Sequence, residues 1–153
     1  MEKRQKITTI IIGVIILFGA FGLYSVFSST KNLPEANPDD IVGISQYFVQ
    51  RDASNYNVRF SLIDKDDSLV TSDASIDFMV KTDNGAILYS KNFAIRSGDF
   101  KIFQLVLNGE PIIAYSWQIN NDELKRGLLD FHTAYITVTL PNGKSFTSEA
   151  PVL

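Results

Sequence analysis

From Val58 onward apolar residues recur at every second position, and that period constrains the fold more than any other feature of the chain. Val58, Phe60 and Leu62 alternate with Arg59 and Ser61, and Ile76, Phe78 and Val80 alternate with Asp77, Met79 and Lys81. Tyr115, Trp117 and Ile119 alternate with Ser116 and Gln118. The longest run sets Ala134, Ile136, Val138 and Leu140 against Tyr135, Thr137 and Thr139. Successive side chains of a strand point to opposite faces, so each run has one apolar and one polar face. That is the pattern of antiparallel sheets with one wet side. Further strands are expected near Ile44–Gln50, Ile87–Ile95, Lys101–Asn108 and Ser145–Ala150.

The punctuation between the runs agrees. Asn84-Gly85, Asn108-Gly109 and Asn142-Gly143 are each the dipeptide favoured at type I′ hairpin turns, where both central residues take positive φ. The polar Asp64–Ser68 segment supplies another turn, and Asn121–Leu129 is the one helical signal here, with Asn121 placed to cap a turn carrying Leu124. Seven or eight short strands at this spacing predict a mainly β fold, an antiparallel β-sandwich over positions 41–153.

Ahead of the sandwich the pattern changes. No charged residue occurs from Ile7 to Thr30, and Ile7–Phe27 is 21 residues of nearly unbroken apolar character. About 20 such residues let a helix cross the hydrocarbon layer, where every backbone group must be satisfied internally. Lys3, Arg4 and Lys6 precede the run with only Glu2 against them, whereas Lys31 and then Glu35, Asp39 and Asp40 follow it. Positive flanks stay cytoplasmic, so the expected layout is a cytoplasmic 1–6, a transmembrane helix 7–27, a linker 28–40 and an extracytoplasmic domain 41–153. The linker reading rests on Pro34 and Pro38 among polar residues. Cleavage after Ser28 as a signal peptide is an alternative, although such apolar regions usually run only about 7–15 residues. A pilin-type leader is a third, against which the Lys6-Ile7 junction lacks a small residue.

The chain has no cysteine, which excludes disulfides, thiolate metal sites and thiol nucleophiles. Removing Lys3, Arg4, Lys6 and Glu2 from the totals of 14 basic and 17 acidic residues leaves 11 and 16, so the exposed part carries −5. With no basic run there is no electrostatic footprint for nucleic acid. The single histidine, His132, cannot form a zinc site of several nitrogen ligands, and as a general base it lacks a recognisable nucleophile. No G-x-S-x-G, H-E-x-x-H or paired-carboxylate setting is present and no cofactor motif is read, so the expected role is non-catalytic.

The segments LIDKDDSLVTSDASIDFMV and DNGAILYSKNF, Trp117 within a strand and the closing AYITVTLPNGKSF together resemble immunoglobulin-like or fibronectin type III-like domains. The resemblance is to membrane-anchored members on prokaryotic cell surfaces, archaeal ones among them, and it covers Ile44 to the C-terminus. It implies a fold and transfers no active site, and the inter-sheet cysteine pair of antibody-type domains is missing. The layout also resembles, in outline, the stator-type proteins of the archaeal motility apparatus.

Two patches are the candidate partner-binding sites. Asp64, Asp66 and Asp67, with Asp73 nearby, form an acidic loop whose alternating oxygens echo half of a Ca²⁺ loop. The glycine expected at its sixth position is Leu69 and the distal glutamate is absent, so a solvated hairpin tip competes with a Ca²⁺ site. Tyr135 falls on the polar phase of its strand, where an aromatic can anchor a partner. Trp117, Tyr115, Phe60, Phe78 and Phe103 read as core. The function expected is a membrane-anchored binding module of the cell envelope, held by Ile7–Phe27 and engaging another envelope protein or a surface polymer. The alternative is a structural subunit of a larger membrane or filament complex.

Overall fold

The computed structural model describes residues 33–52, 54–104, 111–124 and 132–152. The nine strands among the described residues are β1 (Ile41–Arg51), β2 (Asn55–Asp64), β3 (Leu69–Val70), β4 (Ala74–Thr82), β5 (Ile87–Ile95), β6 (Lys101–Gln104), β7 (Pro111–Asn120), β8 (His132–Thr139) and β9 (Ser145–Pro151). They form two antiparallel sheets, one ordered β1-β2-β7-β6 with β3 added to β2, the other β5-β4-β8-β9. The chain divides into two units, of which the first comprises 30–101 with 113–153. The first holds the core. No helix among the described residues is long and apolar enough to cross a membrane, and the expected span Ile7–Phe27 lies outside them.

The alternating rows become the core. Val58, Phe60 and Leu62 of β2, Ile76, Phe78 and Val80 of β4, and Ala134, Ile136 and Val138 of β8 are all at most 2% exposed. Between the sheets stands Trp117 of β7. Its ring meets Phe78 of the opposite sheet at 5.1 Å and 89°, Phe93 of β5 at 5.2 Å and Phe60 at 6.4 Å. Edge-to-face packing sets the positive rim of one ring against the negative face of another. Of the residues read as core, Phe60, Phe78 and Phe103 are buried, while Trp117 and Tyr115 are half-buried against the cluster.

The hairpin turns depart from the type I′ expectation. Among the described residues positive φ occurs at Gly85 and Gly143 but at neither Asn84 nor Asn142. Thr82 N–H donates to Ala86 O and Gly85 N–H to Thr82 O, so the loop holds three residues with only the glycine left-handed. Leu140 N–H to Lys144 O and Gly143 N–H to Leu140 O build the same loop between β8 and β9. The strands decide this. Val138 must sit opposite Phe146 and Thr137 opposite Thr147, which leaves a three-residue connection in which Pro141 suits the first turn position. Asn108-Gly109 lies outside the described residues. The helical signal also shifts. Residues 121–124 form a turn that buries Leu124, but Asn120 rather than Asn121 caps it, accepting from Asp122 N at 3.1 Å while Asn120 N–H donates to Glu123 Oε2.

Of the residues expected as an extended linker, 28–32 lie outside the described residues, and 33–40 run against the sandwich. Ala36 N–H donates to Thr71 O at 3.0 Å and Thr71 N–H to Pro34 O at 2.9 Å, with Leu33 and Ala36 resting on the core. Pro38–Asp40 forms a 3₁₀ turn capped by Asn37, whose side chain accepts from Asp39 N at 3.1 Å.

Two stability measurements test this account. By chemical denaturation of the full chain, Trp117→Ala should cost about 3–5 kcal/mol, the usual range for deleting a packed aromatic. Gly143→Ala should cost about 1 kcal/mol, because φ of +84° there disfavours a Cβ. Gly98→Ala, with no positive φ and nothing within 4 Å of an added Cβ, should be near neutral. Equal effects at the two glycines would contradict the turn assignment.

Candidate interaction surfaces

The pairing registers give the sandwich two ends. At the end where the chain enters lie Ile41 opposite Asp64, Ala74 opposite Ile95, and the Asn142-Gly143 turn that joins Thr139 to Ser145. The far end carries Asn55 opposite Asn120 and Thr82 opposite His132.

The acidic tip belongs to the entry end and is built as a turn. Asp64 N–H donates to Ser68 O and Asp67 N–H to Asp64 O, with Asp67 taking the left-handed position at φ 57° that glycine fills in the other two loops. Aspartate tolerates that region better than most residues. The Asp64 carboxylate turns inward on its own loop, Oδ1 accepting from Asp66 N and from Ser68 N, each at 2.9 Å. Asp66 and Asp67 are exposed, while Asp73 instead accepts from Ser97 N at 2.8 Å. Among the described residues no three His, Cys, Asp or Glu side chains gather closely enough to hold a metal ion.

That tip also grips the entering chain. Lys65 Nζ meets Asp40 Oδ1 at 2.8 Å, and Lys65 N–H donates to Asp40 O. From the other sheet Asn142 Nδ2 donates to Asp39 Oδ1 at 2.7 Å and Lys144 Nζ to Ile41 O at 2.6 Å. Hydrogen bonding to Asp40 raises the Lys65 ammonium above its ordinary pKa.

Tyr135 lies elsewhere, on the outer face of the four-stranded sheet between Met79 of β4 and Glu149 of β9. It is half-buried, and Lys81 Nζ sits 5.3 Å from its ring centre. The outer rows around it are hydroxyl-rich, Thr137 with Thr147 at 3.0 Å and Thr139 with Ser145 at 2.8 Å. The structure therefore does not bring Tyr135 and the acidic tip together.

Some polar-phase residues are not at the surface. Arg59 and Ser61, expected on the wet face of β2, are buried, and the Arg59 guanidinium lies 5.1 Å over the Phe48 ring. A flat delocalised cation stacks well on an aromatic face, which lets its strand position close over. His132 is 3% exposed, and among the described residues neither ring nitrogen has a hydrogen-bond partner. Burial raises the Tyr89 and Tyr115 phenols above their ordinary pKa, with Glu123 and Asp99 adding to the effect.

The surface that pattern reading missed is the free edge of β5. Three long strands end a sheet. Two of them, β1 and β9, meet each other through the parallel bridge of Val49 and Val152, whereas among the described residues β5 pairs only with β4. Ile87, at its start, is 59% exposed. Lys91 stands opposite buried Phe78, on the inward phase between Tyr89 and Phe93, yet is exposed with Nζ 5.5 Å from the Phe93 ring centre. The sequence signal was present as a lysine at a position where alternation calls for an apolar side chain.

No protein family matches the chain, and no curated protein matches it. Among solved structures it is similar to a hypothetical protein from Pyrococcus horikoshii, at 8% identity and a TM-score of 0.44, covering 80% of this chain and 97% of that one. A putative beta-galactosidase from Bacteroides fragilis gives 14% identity and a TM-score of 0.37, covering 71% of this chain but 15% of that enzyme. A conjugative transposon lipoprotein from Bacteroides eggerthii gives 12% and 0.32, covering 72% and 91%. At these scores the likenesses carry no argument about function.

The two roles open to the acidic tip predict different mutant behaviour. If Asp64 serves its own loop, Asp64→Ala should cost about 1 kcal/mol, the usual worth of intramolecular hydrogen bonds, and Asp66→Ala almost nothing. Millimolar Ca²⁺ should then leave the Tm unchanged. A Ca²⁺-dependent rise in Tm that Asp66→Ala abolishes would establish the metal reading instead.

Proposed function

We propose that this chain is a non-catalytic interaction module of the cell envelope, anchored by Ile7–Phe27 with its sandwich outside the cytoplasm. One observation carries the reading. The alternating apolar faces are consumed between the two sheets, leaving the hydroxyl-rich outer face of the four-stranded sheet and, among the described residues, one long unpaired edge as surfaces available for contact. A surface of that kind suits recognition through backbone hydrogen bonds and a few side chains. The uncharged run with Lys3, Arg4 and Lys6 before it supports the anchored orientation. The immunoglobulin-like reading is supported by strand order. Leaving aside the two-residue β3, the sheets follow the A-B-E-D and C′-C-F-G arrangement, although the aromatic on the C-equivalent strand is Phe78, with Trp117 packed on it from the E-equivalent.

A second reading, a brace within a membrane or filament complex, is favoured by the clamped entry. Contacts from Lys65, Thr71, Asn142 and Lys144 fasten Pro34–Ile41 to both sheets, and a stiff joint is what a load-bearing subunit needs.

Protease added to intact spheroplasts should remove the domain while sparing a cytoplasmic control. Protection until lysis would reverse the orientation, and a mature terminus near Ser29 would replace the anchor with a cleaved signal. Photo-crosslinking from residues of the domain in native membranes, read by mass spectrometry, should capture an envelope protein or polymer. A filament-base component would select the brace. Loss of function on exchanging Ile7–Phe27 for an unrelated span, with no crosslink from the domain, would overturn the domain-centred reading.

A further inference from the structure

We propose that the β5 edge accepts an extended acidic strand from a partner protein, and that Lys91 selects it. The proposal rests on the reading of the domain as an interaction module and names the partner chemistry of one surface of it. A strand with a single neighbour presents a row of unpaired N–H and C=O groups, a template for any chain that can lie alongside. β5 is nine residues long and among the described residues pairs only with β4, and Ser90, Lys91, Asn92 and Ala94 along its middle are exposed. Its inward phase supplies partly buried Tyr89 and Phe93, so an added strand would find apolar side chains on either side of a charge.

Charge decides which strand that is. From Ala86 to Gly98 the sequence contains no acidic residue, and its two charges, Lys91 and Arg96, are both exposed. The strip is therefore positive within a chain of net charge −3. A second copy is a poor occupant. Antiparallel pairing of all nine residues of β5 with their counterparts would set Lys91 directly against Lys91 of the other molecule, and like charges opposite one another destabilise a sheet. A basic strand fails for the same reason. An acidic strand places a carboxylate across from Lys91 and gains both the backbone ladder and the ion pair. Lys91 thus does two things at one position: it guards the open edge against self-association and marks it for a partner of opposite charge.

The test uses the full chain in mild detergent and two end-blocked nine-residue peptides that alternate Val with Glu or Val with Lys. Fluorescence anisotropy should show the Glu peptide binding about tenfold more tightly than the Lys peptide, a preference that shrinks at high salt. Lys91→Gln should lose most of the preference and Lys91→Glu should reverse it. Both variants change an exposed side chain, and a circular dichroism spectrum identical to that of the wild type checks that they fold. Hydrogen exchange should show new protection confined to Ile87–Ile95 and its neighbour β4. Equal binding of the two peptides, protection elsewhere, or no binding at all would overturn the proposal. So would a homodimer through this edge. Because the chain has no cysteine, that dimer would be seen as a disulfide between Ser90→Cys and Asn92→Cys chains, which stand opposite each other in the centred register. If the peptides fail while domain residues still crosslink in native membranes, the edge proposal is lost and the module reading stands. If the domain yields no crosslink as well, both are lost.

Discussion

The packing of Trp117 against Phe78 and Phe93 is the contact on which the sandwich depends. Its indole belongs to one sheet and touches rings of two strands in the other, so it sets the spacing and alignment of the layers at one point. Around it Phe60 with Phe100 and Phe78 with Tyr89 repeat the edge-to-face geometry, and Tyr115 joins the cluster at tilted angles. Rings of this size bury much apolar surface and lose little freedom on folding, an efficient core for a domain with no disulfide to stabilise it. The consequence for function is direct. With the large apolar side chains committed to the interior, contact with other molecules falls to edges, loops and the hydroxyl-rich outer sheet.

The entry of the chain shows how context overrides composition. Two prolines among polar residues read as a spacer, and proline does stiffen the backbone there. Yet Thr71 offers both a donor and an acceptor at the margin of the sheet, and Pro34 and Ala36 take them in a short parallel bridge. Lys65, Asn142 and Lys144 then reach Asp40, Asp39 and Ile41 from two different hairpins. Each exposed pair is weak singly. Their placement on both sheets gives the joint its direction. The acidic tip, read from sequence as a surface for a partner, spends Asp64 and its neighbouring Lys65 on this internal work.

How much of the fold was legible follows from what each signal measures. Alternation located β2, β4, β7 and β8 because the face a side chain occupies is a local property of an extended backbone. Leu69–Val70 stayed invisible, since two residues are too few to show a period. The Asn-Gly dipeptides marked the two described turns correctly and their type wrongly. A dipeptide reports a tolerance for positive φ, while loop length is set by which residues of the two flanking strands face each other.

The same division holds for the surfaces. By itself the sequence determined the strand periods, the absence of any thiol chemistry, the uncharged run of Ile7–Phe27 and the single charge within β5. These are properties of residues and their near neighbours. Only the tertiary structure decided that Arg59 and His132 would be buried, that Asp64 would accept from its own loop and that Tyr135 would lie far from the acidic tip. It alone decided that β1 and β9 would close on each other and leave β5 as the long open edge among the described residues. The order of strands in a sheet comes from packing partners distant along the chain, so no local pattern encodes which strand will be last in the row.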